Sequence, residues 1–134
     1  EQRIELAGLR PREEIAKRLA QTDCFVLASE SETFGVSYLE ALSCGVPVIA
    51  TRCGGPECFV NEHNGIMVET GNVDALARAM LTIYCNIDFY NRPAIAQEVR
   101  RVYSSQAVAR SLIRQYENLL DSRETHLEKE AVCR

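Results

Sequence analysis

Two uninterrupted apolar runs, Cys24–Ala28 and Val46–Ala50, constrain this chain most. Polar residues bound each run, and a helix-like stretch separates them. Short apolar runs without alternation suit strands buried on both faces, which occur in parallel sheets covered by helices. The flanking patterns agree. Arg3–Ala7 alternates and stops at Gly8, which predicts a first strand. Pro11 opens a helix to about Gln21, with Glu13 and Glu14 in its first turn and Ile15 and Leu19 on one face. Phe34–Ser43 is helical in pattern and ends at Gly45. Gly54-Gly55-Pro56-Glu57 turns into a short helix, and Asn64-Gly65 turns into a strand over Ile66–Val68. Asn72 caps a helix bearing Leu76, Met80 and Ile83. Pro93 starts another, with Ile95, Val99 and Val102. Ser104 or Ser105 caps the last, whose stripe is Val108, Leu112, Tyr116, Leu119 and Leu120. Strands alternating with helices predict an α/β layer structure with a helical C-terminal third. Residues 121–134, mostly charged, are expected to form a frayed helix or tail.

Composition narrows the function. The 134 residues fit one domain by size, and 46% hydrophobic with 25% charged residues is ordinary for a globular chain. A net charge of −4 disfavours non-specific nucleic-acid binding. No apolar stretch approaches the roughly eighteen residues of a transmembrane helix. The six cysteines, Cys24, Cys44, Cys53, Cys58, Cys85 and Cys133, form no C-x-x-C pair. Neither His63 nor His126 stands in zinc-type spacing with them. Reduced thiols in a cytoplasmic chain are therefore expected, with no metal site. The chain opens on Glu-Gln-Arg-Ile rather than Met, and is expected to be a piece of something longer.

In an open α/β sheet, ligands bind at the carboxyl ends of the strands. The loop after the second predicted strand, Ala28 to Gly35, leads straight into a helix. A helix start offers unpaired N–H groups and partial positive charge, which suits an anion. Gly35 in that first turn costs about 1 kcal/mol against Ala. Close approach of a ligand to the backbone is one reason to accept that cost. Glu32 and Glu40 bracket the turn, eight residues apart. At about 100° per residue they stand roughly 80° apart around the helix, so both carboxylates can face one cleft. Ionised carboxylates accept hydrogen bonds from paired sugar hydroxyls. A phosphate-binding turn flanked by such acids fits a nucleotide-sugar. Read blandly, Glu32 complements the helix dipole and Glu40 is a solvated acid. Arg52 with Gly54 and Gly55 borders either a sugar pocket or a plain turn. His63 reads as a turn residue.

The string Glu32-Thr33-Phe34-Gly35-(x4)-Glu40-Ala41-Leu42-(x2)-Gly45-x-Pro47-Val48-Ile49-Ala50-Thr51-(x2)-Gly54-Gly55 resembles the retaining glycosyltransferases of the GT-B fold, family GT4. Their signature holds an E-x7-E motif. Thr33 stands where many members have Gly. Asn64–Val68, the helix from Asn72 to Met80, Tyr103-Ser104 and Val108–Tyr116 continue the likeness. The resemblance implies a Rossmann-like three-layer αβα parallel sheet, here partial with about four strands. It implies a single partial C-terminal nucleotide-sugar-binding domain over 1–134. It places Glu40 on the ribose hydroxyls of the donor and Glu32, the catalytic acid, against the transferred sugar. The N–H groups of Phe34, Gly35 and Val36 approach the diphosphate, and Thr33, Gly54 and Gly55 are counted with the donor-binding residues. The implied reaction moves a sugar from a nucleotide diphosphate to an acceptor hydroxyl with retention, using no metal or cofactor beyond the nucleotide-sugar itself.

The family's donor site also uses an Arg and a Lys, expected upstream of this segment. Lys17 and Lys129 are the only lysines here, and neither matches. The isolated chain is therefore expected to be inactive. A glycan or lipid-linked acceptor would be held by an N-terminal domain, in the cytoplasm or at the inner face of a membrane. A nucleotide-sugar epimerase, a phosphorylase or a non-catalytic nucleotide-binding module shares the architecture. Lacking its neighbours, the strand over Cys24–Ala28 is expected to show a bare edge. Either Arg3–Ala7 re-pairs there or two copies associate through it.

Overall fold

The computed structural model describes residues 4–132, with side chains described from 4 to 120. Its contacts gather into two units, Glu1–Val99 and Arg100–Arg134. The sheet and every residue discussed for the site lie in the first.

Helix α1, Arg12–Ala20, starts behind Pro11, whose extended backbone precedes the first turn. Glu13 and Glu14 at its start and Lys17 and Arg18 at its end complement the helix dipole. Strand β1, Phe25–Leu27, is followed by helix α2, Val36–Ser43. Strand β2, Val48–Thr51, is buried along its whole length. A 3-10 turn, Gly55–Cys58, leads on to strand β3, Gly65–Val68. Helix α3, Val73–Cys85, begins as expected at Asn72, whose side chain accepts from the Ala75 N–H at 2.9 Å. A second 3-10 turn, Ile87–Phe89, precedes helix α4, Arg92–Tyr103.

The sheet is parallel with order β1-β2-β3, so β2 lies in the middle. Phe25 pairs with Val48, and Val48 with Gly65. Gly65 has to be glycine, because a Cβ there would stand 2.3 Å from the Val48 carbonyl oxygen. Helix α2 packs on β1 and β2, and α3 on β2 and β3. Tyr38, Leu42, Val46, Pro47, Val48, Ile49 and Ile83 are the fully buried centre. Arg92 closes the unit from the far end of the sequence. Its guanidinium donates to the Thr22 and Ala20 carbonyls, both at 3.0 Å, at the end of α1.

One expected strand is absent. Ile4–Ala7 forms no ladder, so the sheet has three strands among the described residues, not four; Arg3 lies outside them. Alternation supplies a side-chain pattern only, and a strand also needs a neighbour for its N–H and C=O groups. No such neighbour meets this segment among the described residues. Ile4 and Leu6 stand exposed, and Glu5 instead pairs with Arg18 at 3.0 Å. The re-pairing of this segment beside β1 is thus overturned. The other half of that expectation, a bare outer edge on β1, is present: β1 has β2 as its one strand neighbour among the described residues. On α3, Ala79 and Ile83 are the buried positions, while Met80 is exposed.

In the second unit, helix α5 spans Ser105–Val132, so it runs through most of the expected tail. Residues 133 and 134 lie outside the described residues. Ser104 is its cap, accepting from the Ala107 N–H at 3.2 Å. The stripe from Val108 to Leu120 is exposed.

Candidate functional site

The loops after β1 and β2 meet at the carboxyl end of the sheet. Glu32 stands where they touch. Its N–H donates to the Cys53 carbonyl at 3.1 Å, and its own carbonyl accepts from the Gly55 N–H at 2.7 Å. These bonds make Glu32 and Gly54 an isolated parallel bridge. The backbone of this acid is therefore held from both sides, although it belongs to no strand. Its side chain is half-buried, and Thr33, Phe34 and Val36 beside it are exposed.

The two glycines of the β2 loop explain how the loops come so close. A Cβ on Gly54 would stand 2.9 Å from the Glu32 carbonyl oxygen. A Cβ on Gly55 would stand 2.4 Å from the Phe34 Cα. The pair therefore turns the chain and also lets the two loops touch. Gly54 is exposed, while Gly55 is buried beneath Phe34.

Gly35 sits at the N-cap of α2, not within its first turn as expected. Its φ of 91° lies in the left-handed region that favours glycine. A Cβ would also stand 2.7 Å from the Tyr38 ring. The demand for glycine comes from within the chain. One consequence is chemical: glycine supplies no capping side chain, so the start of α2 keeps uncapped N–H groups. Tyr38 fastens this helix to the sheet. Its ring is fully buried, stands edge-on to Phe25, and its hydroxyl donates to the Leu27 carbonyl at 2.6 Å. Burial raises the phenol's pKa above its ordinary 10.0. Thr51 braces the other strand end by donating to the Ser29 carbonyl at 2.5 Å.

Glu40, one turn further along α2, is half-buried, with Arg12 Nη2 at 3.1 Å from its Oε1. The periodicity of α1 gave no hint of this pair, because its members lie 28 residues apart. The pair joins the exposed start of α1 to the second acid. Sequence reasoning also missed Tyr38, which it left as an unremarked helix residue.

A groove of about 660 Å³ on the first unit lies elsewhere. Arg52, Glu57, Asn61, Ile66 and Phe89 line it, and neither Glu32 nor Glu40 does. The acids stand instead on an open surface at the strand ends. His63 is an exposed turn residue. Asn64 makes that turn: its Oδ1 accepts from the Asn61 N–H at 2.8 Å and its Nδ2 donates to the Phe59 carbonyl at 2.9 Å. The cysteines of the described residues, Cys24, Cys44, Cys53, Cys58 and Cys85, are free thiols. Among the described residues, no group of His, Cys, Asp and Glu could hold a metal ion, and no helix is long and apolar enough to cross a membrane.

A parallel α/β sheet with acids and an uncapped helix start at its carboxyl end is the arrangement at which open α/β sheets bind ligands. The comparisons with known proteins give the family. The sequence profile described as glycosyl transferases group 1 matches residues 1–86, and the chain belongs to that family. It is 31% identical over 106 residues to the N-acetyl-alpha-D-glucosaminyl L-malate synthase of Bacillus anthracis, covering 78% of this chain and 27% of that protein. Among solved structures, it is similar to a sucrose-phosphate synthase from Thermosynechococcus elongatus, at a TM-score of 0.78 and 26% identity. That match covers 90% of this chain and 31% of the other. It is also similar to HepE of Anabaena in complex with UDP and glucose, at a TM-score of 0.69 and 27% identity, covering 91% and 33%. The chain thus spans about a quarter to a third of the length of these relatives. The transferase reading stands, and the comparisons do not favour the epimerase, phosphorylase and non-catalytic alternatives.

Proposed function

We propose that this chain is the donor-binding part of a longer, two-domain glycosyltransferase that moves a sugar from a nucleotide diphosphate to an acceptor hydroxyl with retention. The observation that carries this reading is the double backbone tether of Glu32 beside the uncapped start of α2. A tethered carboxylate next to a helix start that has no capping side chain offers a sugar contact and a diphosphate contact within one loop. Glu40 takes the ribose hydroxyls, Glu32 faces the transferred sugar, and Phe34, Gly35 and Val36 present their N–H groups to the phosphates. Thr33 and Gly54 border the same surface. Positive charge at the helix start offsets phosphate charge without a metal or a further cofactor. That HepE of Anabaena was solved with UDP and with UDP-glucose supports a nucleotide-sugar as the ligand.

The remaining diphosphate cations and the acceptor site, for a glycan or a lipid-linked alcohol, belong to the rest of the enzyme. The enzyme works in the cytoplasm, at the inner membrane face where its acceptor is lipid-linked. The isolated chain binds donor but does not turn over. The outer edge of β1, unpaired among the described residues, favours association of two copies in isolation.

Calorimetric titration of the chain with UDP, GDP, ADP and UDP-glucose tests the site. One nucleotide is expected to bind saturably, and Glu40→Ala is expected to weaken it at least about tenfold, the loss of one or two hydrogen bonds to a charged group. Equal affinity in Glu40→Ala refutes the assignment. Light scattering that shows a monomer at all concentrations removes the dimer.

A further inference from the structure

Glu32 owes its position to the turn at Gly54, because its backbone bonds run to Cys53 and Gly55. That turn carries one backbone bond of its own, from the Glu57 N–H to the Gly54 carbonyl at 3.1 Å. Gly54 has φ 112° and ψ −104°, a conformation open to glycine and preferred by no residue. One side chain grips it. Glu57 Oε1 accepts from the Gly54 N–H at 3.3 Å, and Glu57 Oε2 lies 3.5 Å from Arg52 Nη1. Arg52 is anchored at the far side. Its Nε lies 3.1 Å from Glu69 Oε1, its N–H donates to the Val68 carbonyl at 2.8 Å, and its carbonyl accepts from the Thr70 hydroxyl at 3.0 Å. A continuous path therefore runs from the end of β3 through Arg52 and Glu57 to the Gly54 turn, and from there to Glu32.

We propose that Glu57 is a positioning residue for Glu32: it clamps the Gly54 turn to Arg52 and so fixes where the acid stands at the carboxyl end of the sheet. The proposal deepens the donor-site reading and rests on it for the role of Glu32. Both Glu57 and Arg52 are about half exposed, so each contact alone contributes little to global stability. Their effect is local, and falls on the loop that carries the acid. A neutral acceptor at position 57 keeps the hydrogen bond to Gly54 and loses only the ion pair. Removal of the side chain loses both.

Amide hydrogen exchange of the whole chain, read by NMR at Glu32 and Gly55, tests this. The Val48 N–H, bonded to the Asn64 carbonyl at the opposite end of β2, is the internal reference. Glu57→Ala is expected to speed exchange at Glu32 and Gly55 at least tenfold while Val48 stays within twofold. Glu57→Gln is expected to restore protection to within threefold, and Arg52→Met to fall between the two. Unchanged exchange at Glu32 and Gly55, or an increase that Val48 shares, overturns the proposal. Should Glu57→Ala fail to fold, the Arg52→Met result decides, and no change at Glu32 there overturns it equally. The role of Glu32 is tested separately by the ratio of UDP-glucose to UDP affinity. If Glu32→Gln leaves that ratio unchanged while the exchange pattern holds, the sugar-site reading fails and the positioning role of Glu57 survives.

Discussion

Gly55→Ala isolates the close approach on which the site is built. The φ of Gly55 is not positive, so an alanine there meets no backbone penalty of its own. It meets Phe34 instead. The new Cβ would lie 2.4, 2.5 and 2.6 Å from the Cα, N and C atoms of Phe34, where ordinary contact begins at 3.4 Å. The difference, 3.4 − 2.4 = 1.0 Å, is the distance the two loops must separate. All three atoms are backbone, so no rotamer change relieves the clash. A retreat of that size takes the 2.7 Å bond from the Gly55 N–H to the Glu32 carbonyl beyond hydrogen-bond range. Overpacking costs about 1–3 kcal/mol. The lost hydrogen bond adds about 0.5–1.5 kcal/mol. A loss near 3 kcal/mol follows, which lowers Tm by roughly 10 °C for a chain of this size. Gly71→Ala is the control. Gly71 has φ 77° and open space around it, so alanine there adds only left-handed strain, about 1–2 kcal/mol. Circular dichroism melts give the stabilities, and the amide shifts of Glu32 and Phe34 report the loop. The expected order is Gly55→Ala well below Gly71→Ala, with the loop amides moved only in the first. A Gly55→Ala chain that melts within about 2 °C of the unsubstituted one, or no lower than Gly71→Ala, refutes the close-approach argument.

Two further perturbations probe parts of the first unit away from that contact. Asn72→Ala removes the oxygen that accepts from the Ala75 N–H and is expected to cost about 1 kcal/mol, read as a lower urea midpoint with unchanged slope. The thiol of Cys24 is pushed up to about 11 from an ordinary 9.0, by burial first and then by the charge of Asp23. A folded-state pKa above the unfolded one means the stabilisation is complete below pH 9 and is lost as pH rises through about 11. Burial raises Tyr38 and Tyr90 in the same direction, so Cys24 is not alone in the alkaline loss. The urea midpoint is expected to fall across pH 9–11, and less so in Cys24→Ala; equal slopes in the two chains count against the Cys24 part. At pH 8.5, alkylation of Cys24 is expected to lag behind that of the exposed Cys58 and Cys85.

What could be read from the residues alone divides along a physical line. Strand β2 was legible because Val48, Ile49 and Ala50 are buried on both faces, and burial on both faces leaves an unbroken apolar run. The start of α3 was legible because Asn72 caps through its own side chain. Ile4–Ala7 misled because alternation describes a strand's faces and says nothing of its neighbour. The acids Glu32 and Glu40 were legible as a spaced pair around a helix start, with a bland reading open for each. Their placement was not. It depends on atoms the residues lack, the missing Cβ groups of Gly35, Gly54 and Gly55, and on which backbone groups meet across those gaps. Gly35 shows the limit best. It was recognisable as an anomaly at a helix start, and a ligand was a fair reason for it. The Tyr38 ring is the reason present in the chain. The two reasons are compatible, because a glycine forced by Tyr38 also leaves α2 without a capping side chain. The packing of Tyr38 beneath the loop thereby leaves the start of α2 without a side-chain cap.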